Sequence, residues 1–258
     1  MSGRLRLALL IVLALASALL CFAVVPSPVP QDPCYHRFAD RRTWLGIPNA
    51  WNVLSNAPFL LIGTMALLFW RRRRARLVPS ADVLPPFVFI IGMILTSFGS
   101  AYYHWSPNDA TLVADRIGIA ITASAFLALI AGDRIGYGTN GVLIGWTLFA
   151  IATILWWYVT EQRGAGDLRA YGIAQFFPLA ALLFTAALFP PIYTGSRKLA
   201  WVVVLYVVAK LCETYDQPIY DFLGQVPGHA LKHLFAAMAM AVIAWWLLTR
   251  ERRDKPAT

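Results

Sequence analysis

The stretch Ser100-Ala-Tyr-Tyr-His104-Trp-Ser-Pro-Asn-Asp-Ala-Thr-Leu-Val-Ala-Asp115 sets a hydroxyl, an imidazole and a carboxylate at the junction of two long apolar segments. Polar, titratable side chains at membrane depth are costly, so their presence there signals function. Pro107 and Asn108 break the chain after Trp105, which predicts a tight turn between two antiparallel membrane helices.

Outward from this turn the chain is built for lipid. Of its 258 residues, 59% are hydrophobic and 14% charged, against roughly 25% charged in a soluble domain. Eight apolar stretches reach or approach the roughly 20 residues that cross a hydrocarbon core. The expected fold is therefore all-α, a polytopic membrane helix bundle with seven core transmembrane helices and an additional N-terminal helix. Residues 1–25 have a basic start and an apolar body, like a signal peptide. The apolar part is long and Val24–Val25 makes a poor cleavage site, which favours a retained anchor helix. Residues 26–50 form a Pro-rich polar loop with Asp32, Cys34, His36 and Asp40. The core spans are expected near 51–70, 85–105, 111–132, 140–159, 170–189, 199–214 and 226–248, within a domain of 51–248. Residues 249–258 form a basic tail. No repeat and no second domain is apparent.

The net charge of +9 does not imply nucleic acid, because the basic residues sit in short connections between apolar spans. Arg4, Arg6, Arg71–Arg74, Arg76, Arg134, Arg197, Lys198 and the tail from Arg250 fall on one face. Only Arg37, Arg41, Arg42, Arg163 and Arg169 fall on the other. By the positive-inside rule both termini are expected in the cytoplasm and the 26–50 loop outside. The Arg- and Ala-rich composition suggests a bacterial inner membrane.

On that topology His104, Asp115, His229 and His233 all reach one membrane face. Three of the chain's four histidines are thus expected together. His229 and His233 are four apart and share one helix face, about 5–6 Å from each other. With His104 they make three ligands, and three protein ligands with a fourth position open are the pattern of a catalytic zinc site. Ser100 shares the helix face of His104, and Asp115 descends from the facing helix. A carboxylate there can accept a proton from water and a hydroxyl can donate to a developing oxyanion.

Each piece has a plainer reading. An HxxxH pair alone is weak, His104 amid Tyr102, Tyr103 and Trp105 suits an aromatic belt, and Asp115 beside Arg116 suits a simple ion pair. Those aromatic residues are expected to line a lipid portal or anchor the interface. Asn52, Ser55 and Asn56 read as interhelical hydrogen-bonding residues. Lys210, Glu213 and Asp216 read as a pairing cluster, and Lys232 as a side chain that snorkels to the surface. No cysteine spacing suggests a thiolate metal site. A receptor or lipid-binding protein with a structural zinc remains the alternative to an enzyme. A proton-coupled transporter is weaker, because the titratable groups gather at one end.

The combination of Ser100-xxx-His104, Asp115 and His229-xxx-His233 resembles the alkaline ceramidase family. That family belongs to a wider group of seven-helix membrane hydrolases which includes the adiponectin receptors. The resemblance covers about Asp32 to Leu248, and Asn49-Ala-Trp-Asn-Val-Leu-Ser-Asn56 resembles the opening of the family's first core helix. It implies a zinc-dependent amidase acting on ceramide or a similar N-acyl membrane lipid. His104, His229 and His233 would be the metal ligands, Asp115 would orient or deprotonate the water, and Ser100 would contact the water or the amide oxygen. It also implies a disulfide from Cys34 to the penultimate helix, where Cys212 is the available partner. The family's calcium site is not expected, since Asp32 is kept but Asn49 stands where a glutamate belongs.

Overall fold

The computed structural model describes residues 1–77 and 83–253. The side chains of Arg73, Arg74 and Arg76 in the basic run, and Lys255 in the tail, lie outside the described residues. The described chain is an all-α bundle. Its helices are α1 (Gly3–Val24), α2 (Ala50–Leu54), α3 (Ala57–Leu77), α4 (Leu84–Trp105), α5 (Asp109–Arg134), α6 (Thr139–Glu161), α7 (Arg169–Leu188), α8 (Ala200–Thr214), α9 (Asp216–Leu223) and α10 (Gly228–Thr249).

Seven of the described segments are long and apolar enough to cross a membrane: α1, the α2–α3 pair over Ala50–Arg72, α4, α5, α6, α7 and α10. The chain is a multi-pass membrane protein. The span expected at 199–214 is the 15-residue α8, shorter than the other seven. It runs alongside α10, with Lys198 over Trp245 near one end and Glu213 on Lys232 near the other. A 3₁₀ turn at Ser196–Leu199 leads into it, and α9 follows at once.

The centre of the bundle is the antiparallel α4–α5 pair. Its turn is capped as the sequence predicts: Asn108 accepts from the Thr111 amide at 3.0 Å, and the Thr111 hydroxyl accepts from the Asn108 amide at 3.2 Å. Below the turn, glycines bring the two backbones into contact. A Cβ built on Gly99 would stand 2.4 Å from the Ala114 carbonyl oxygen, one on Gly118 would stand 2.7 Å from the Thr96 backbone, and one on Gly92 would stand 2.5 Å from the Thr122 hydroxyl. Small residues matter at membrane-helix interfaces because dispersion between closely packed backbones replaces the missing hydrophobic drive. Thr96 and Thr122 return their hydroxyls to the carbonyls of Gly92 and Gly118 at 2.8 and 2.9 Å. No hydroxyl is left unpaired at that seam.

The other helices wrap this pair. In α7, Pro178 cannot donate to Ala174 four residues earlier; that carbonyl accepts the Trp146 indole N–H from α6 instead, at 3.2 Å. Helix α1 lies along α7, with Leu10 buried against Leu127 and Phe177, and Arg6 donates to the Arg134 carbonyl at 2.9 Å. At the same end Asp133 pairs with Arg134 and accepts the Tyr193 amide at 3.0 Å.

The opposite end carries residues 26–49, which fold back over the bundle. Asp40, fully buried, binds the Arg42 guanidinium at 2.7 Å and accepts the Trp51 amide at 2.9 Å. Asp167 and Arg169 clasp the start of this loop, the arginine donating to the carbonyls of Val25 and Pro26. The Arg169 hydrogen bond holds the Asp167 carboxyl below its ordinary range. The clasp's contribution is therefore present above the unfolded pKa and is lost as pH falls through the lowered one.

The glycine seam yields a direct test. Gly99→Ala is expected to destabilise the purified protein by about 1–3 kcal/mol through overpacking. Gly141→Ala on α6, where a Cβ meets nothing within 4 Å, is expected to be neutral or slightly stabilising. Thermal unfolding in detergent distinguishes them, and equal effects would refute the close-approach account.

Candidate metal centre

Two helices deliver the three expected histidines to one point. His104 ends α4, His229 and His233 begin α10, and all are buried. One ligand nitrogen from each lies within 4.8 Å of the others, so the group can hold a metal ion. The ring centroids are 4.8 Å apart for His104–His229 and His104–His233, and 4.9 Å for His229–His233. The α10 pair meets because four residues return a helix to the same face.

Each histidine is held by a specific hydrogen-bonding partner. His233 Nδ1 lies 2.7 Å from Ser55 Oγ, which is 3.1 Å from the Asn52 carbonyl. That carbonyl can only accept, so Ser55 donates to it and receives the proton of His233 Nδ1. The lone pair of His233 is then on Nε2, the arrangement in which a second partner fixes the tautomer of a metal-binding imidazole. The backbone N–H of His229 donates to Asp216 Oδ1 at 2.7 Å, while Asp216 Oδ2 accepts from Ala39 at 3.0 Å. Gly228 makes this possible, since a Cβ there would stand 2.3 Å from the Cys212 carbonyl oxygen. His104 is fixed through its backbone, whose carbonyl accepts the Asn49 side-chain amide at 2.8 Å. Asn49 has φ 47°, a left-handed conformation that asparagine tolerates.

The donor set fits a metal. Buried polar atoms are nearly always paired, yet His104 Nδ1 and Asp115 Oδ1 are buried without a partner. Three clustered imidazoles are a donor set that suits a divalent cation, and Lys232 Nζ lies 3.4 Å from His229 Nε2 at their edge. Phe38, from the folded-back loop, covers the cluster with its ring 4.6 Å from His104 and 4.8 Å from His229.

Asp115 and Ser100 come together as well. The Ser100 hydroxyl faces the Asp115 carboxylate within reach of a hydrogen bond, and both residues are buried. They line, with His233, a cavity of about 860 Å³. The cavity is lined at the loop end by Gln31, Asp32 and Tyr35, touches Ser17 and Cys21 of α1, and continues along apolar side chains including Phe126, Phe177, Val202 and Ile243.

Several expectations are corrected. Arg116 makes no ion pair with Asp115 among the described residues; its guanidinium goes to Gln31 at 2.6 Å and lies over Trp157 and Tyr171. Lys232 does not snorkel outward. It turns into the cavity wall and binds Glu213, because a carboxylate on α8 is nearer than water. Lys210 pairs with the same Glu213, whereas Asp216 leaves that cluster to hold His229. Cys34 and Cys212 are both free, so the disulfide implied by the family resemblance is not formed. Ser55 makes the interhelical bond expected of it, to His233. The Asn56 side chain instead donates back to the Asn52 carbonyl at 2.8 Å, and that of Asn52 is buried without a partner; Asn56 is bridged to α4 through its backbone carbonyl, which accepts from Ser97 Oγ. Tyr103 is buried, but Tyr102 and Trp105 are exposed where a membrane interface would lie. The fourth histidine, His36, stays apart from the cluster on Tyr103 and Asp109. The roles of Ser55, Phe38 and Asp216 had no motif to announce them; only the polar opening Asn49–Asn56 hinted at the first.

Purified protein is expected to carry about one divalent metal per chain, and His229→Ala/His233→Ala to lose it. Ser55→Ala is expected to keep the fold and weaken metal affinity about 10–100-fold, the usual effect of removing a partner behind a ligand. Elemental analysis and chelator competition measure both. Equal metal in wild type and the double variant would exclude the site.

No family model matches the chain, and no curated protein or solved structure matches it either.

Proposed function

We propose that the protein is a zinc-dependent hydrolase that cleaves the amide bond of ceramide or a similar N-acyl lipid, releasing a fatty acid and an amine. One observation carries this reading: a cluster of three buried histidines, of which His233 lines a largely apolar cavity together with Asp115 and Ser100. Its volume lies within the usual range for small-molecule sites. Its shape suits an acyl chain running inward from an amide held near the histidines.

A zinc ion held by His104, His229 and His233 would lower the pKa of a water to about 7 and polarise the amide carbonyl. The chain's own residues carry the proton. Asp115 takes it as the water oxygen joins the carbonyl carbon, and returns it to nitrogen as the C–N bond breaks. Ser100 holds Asp115 in position and can turn its hydroxyl toward the carbonyl oxygen. The apolar walls exclude other water from the reacting atoms. Charge placement along the chain supports an inner-membrane location, with both termini cytoplasmic and this site on the periplasmic side.

Asp115→Asn and Ser100→Ala are expected to retain metal. Asp115→Asn should lower amide hydrolysis about 10²–10⁴-fold, the range for loss of a general base, and Ser100→Ala by a smaller factor. Fatty-acid release from a panel of N-acyl lipids, with and without chelator, is the measurement. Metal-loaded protein that turns over none of them would favour a receptor or lipid-binding protein with a structural zinc.

A further inference from the structure

The loop end of the cavity contains a buried cation that makes no ion pair among the described residues. Arg116 follows Asp115 on α5 and is only 5% exposed. Its Nη2 donates to Gln31 Oε1 at 2.6 Å, but its Nη1 is buried without a partner. The guanidinium carbon lies 3.9 Å from the Trp157 ring centroid and 4.6 Å from that of Tyr171. Those contacts orient the group and offset part of its desolvation; they leave its charge in place.

The neighbouring carboxylates are engaged elsewhere. Arg169 is matched by Asp167, while Lys210 and Lys232 share the single carboxylate of Glu213. Asp115 makes no ion pair among the described residues and is held by Ser100. Asp32, at the mouth, caps the Cys34 amide at 2.8 Å. Tyr35 lies within electrostatic reach of Lys232, Glu213, Arg116 and Asp115, so these groups face one region. The Glu161 carboxylate, beside Trp157, accepts the Gln31 backbone amide at 2.8 Å and the Trp157 indole N–H at 3.0 Å. Each of these carboxylates is thus engaged by another group, and none forms an ion pair with Arg116 among the described residues. A buried cation outside an ion pair is expensive, and a planar guanidinium with an unused N–H is suited to a carboxylate.

We propose that this end of the cavity is a subsite for an acidic head group, in which Arg116 binds a carboxylate on the amine side of the scissile amide. It makes N-acyl amino acids the preferred class of substrate over neutral N-acyl alcohols. This inference rests on the hydrolase reading above, and it places the acyl chain in the apolar limb and the amino-acid carboxylate against Arg116.

The test compares N-oleoylglycine with N-oleoylethanolamine, which share an acyl chain and an amide and differ in carboxylate against hydroxymethyl. Metal-loaded full-length protein is expected to prefer N-oleoylglycine at least about 30-fold in kcat/KM, within the range for a charged hydrogen bond. Arg116→Gln is expected to remove that preference by raising KM for the glycine conjugate, leaving the ethanolamide unchanged; Arg116→Lys should restore part of it. Metal content reports whether each variant is folded. Equal kcat/KM for both lipids in wild type, or an equal loss on both in Arg116→Gln, would overturn the proposal. Calorimetric binding of the same two lipids separates it from the hydrolase reading. If neither is cleaved, tighter binding of N-oleoylglycine that Arg116→Gln abolishes still supports the subsite, and equal binding overturns it.

Discussion

The backbone contact between α4 and α5 is the constraint on which the remaining structure depends. Gly92, Gly99 and Gly118 leave no room for a Cβ, so the two helices meet main chain to main chain along most of their length. Their register is then set by where the glycines fall. Gly99 against Ala114 leaves Ser100 beside Asp115, and the hydroxyl–carboxylate pair follows from that register. A side chain at any of these glycines would push the helices apart and separate the pair before any chemistry was affected.

A second economy governs the polar groups. In lipid a free N–H or C=O has no water to bond with, and the chain meets this locally wherever it can. Threonines of the α4–α5 seam return to their own helices, and the carbonyl freed by Pro178 takes an indole from α6. Some exceptions lie around the histidines: His104 Nδ1, Asp115 Oδ1, Arg116 Nη1 and both side-chain polar atoms of Asn52 are buried without partners. The free donor atom of His104 is one that a metal ion could use.

The folded-back loop completes the centre. Asp40 and Asp216 are its two anchors: Asp40 fixes the start of α2, and Asp216 ties Ala39 to the backbone of His229. The loop thereby brings Phe38 over the histidines and Gln31 to Arg116. Its contribution is geometric, since none of the three histidines comes from it.

The sequence by itself determined the class of fold and the identity of the candidate ligands. Apolar length and charge placement mark a multi-pass bundle, and the spacing of His229 and His233 puts both on one face whatever surrounds them. Those are properties of local periodicity and composition, and they survive translation into structure. What depended on contacts between distant residues could not be read. Lys232 turns inward because Glu213 of α8 is near, and Ser55 becomes a partner of His233 across the bundle. The short α8 and the unbridged Cys34 and Cys212 likewise follow from how α8, α9 and α10 pack around Gly228. Arg116 looked like the ion-pair partner of Asp115, its neighbour in sequence. Successive helix positions diverge by about 100°, and tertiary packing sent the two side chains to different partners.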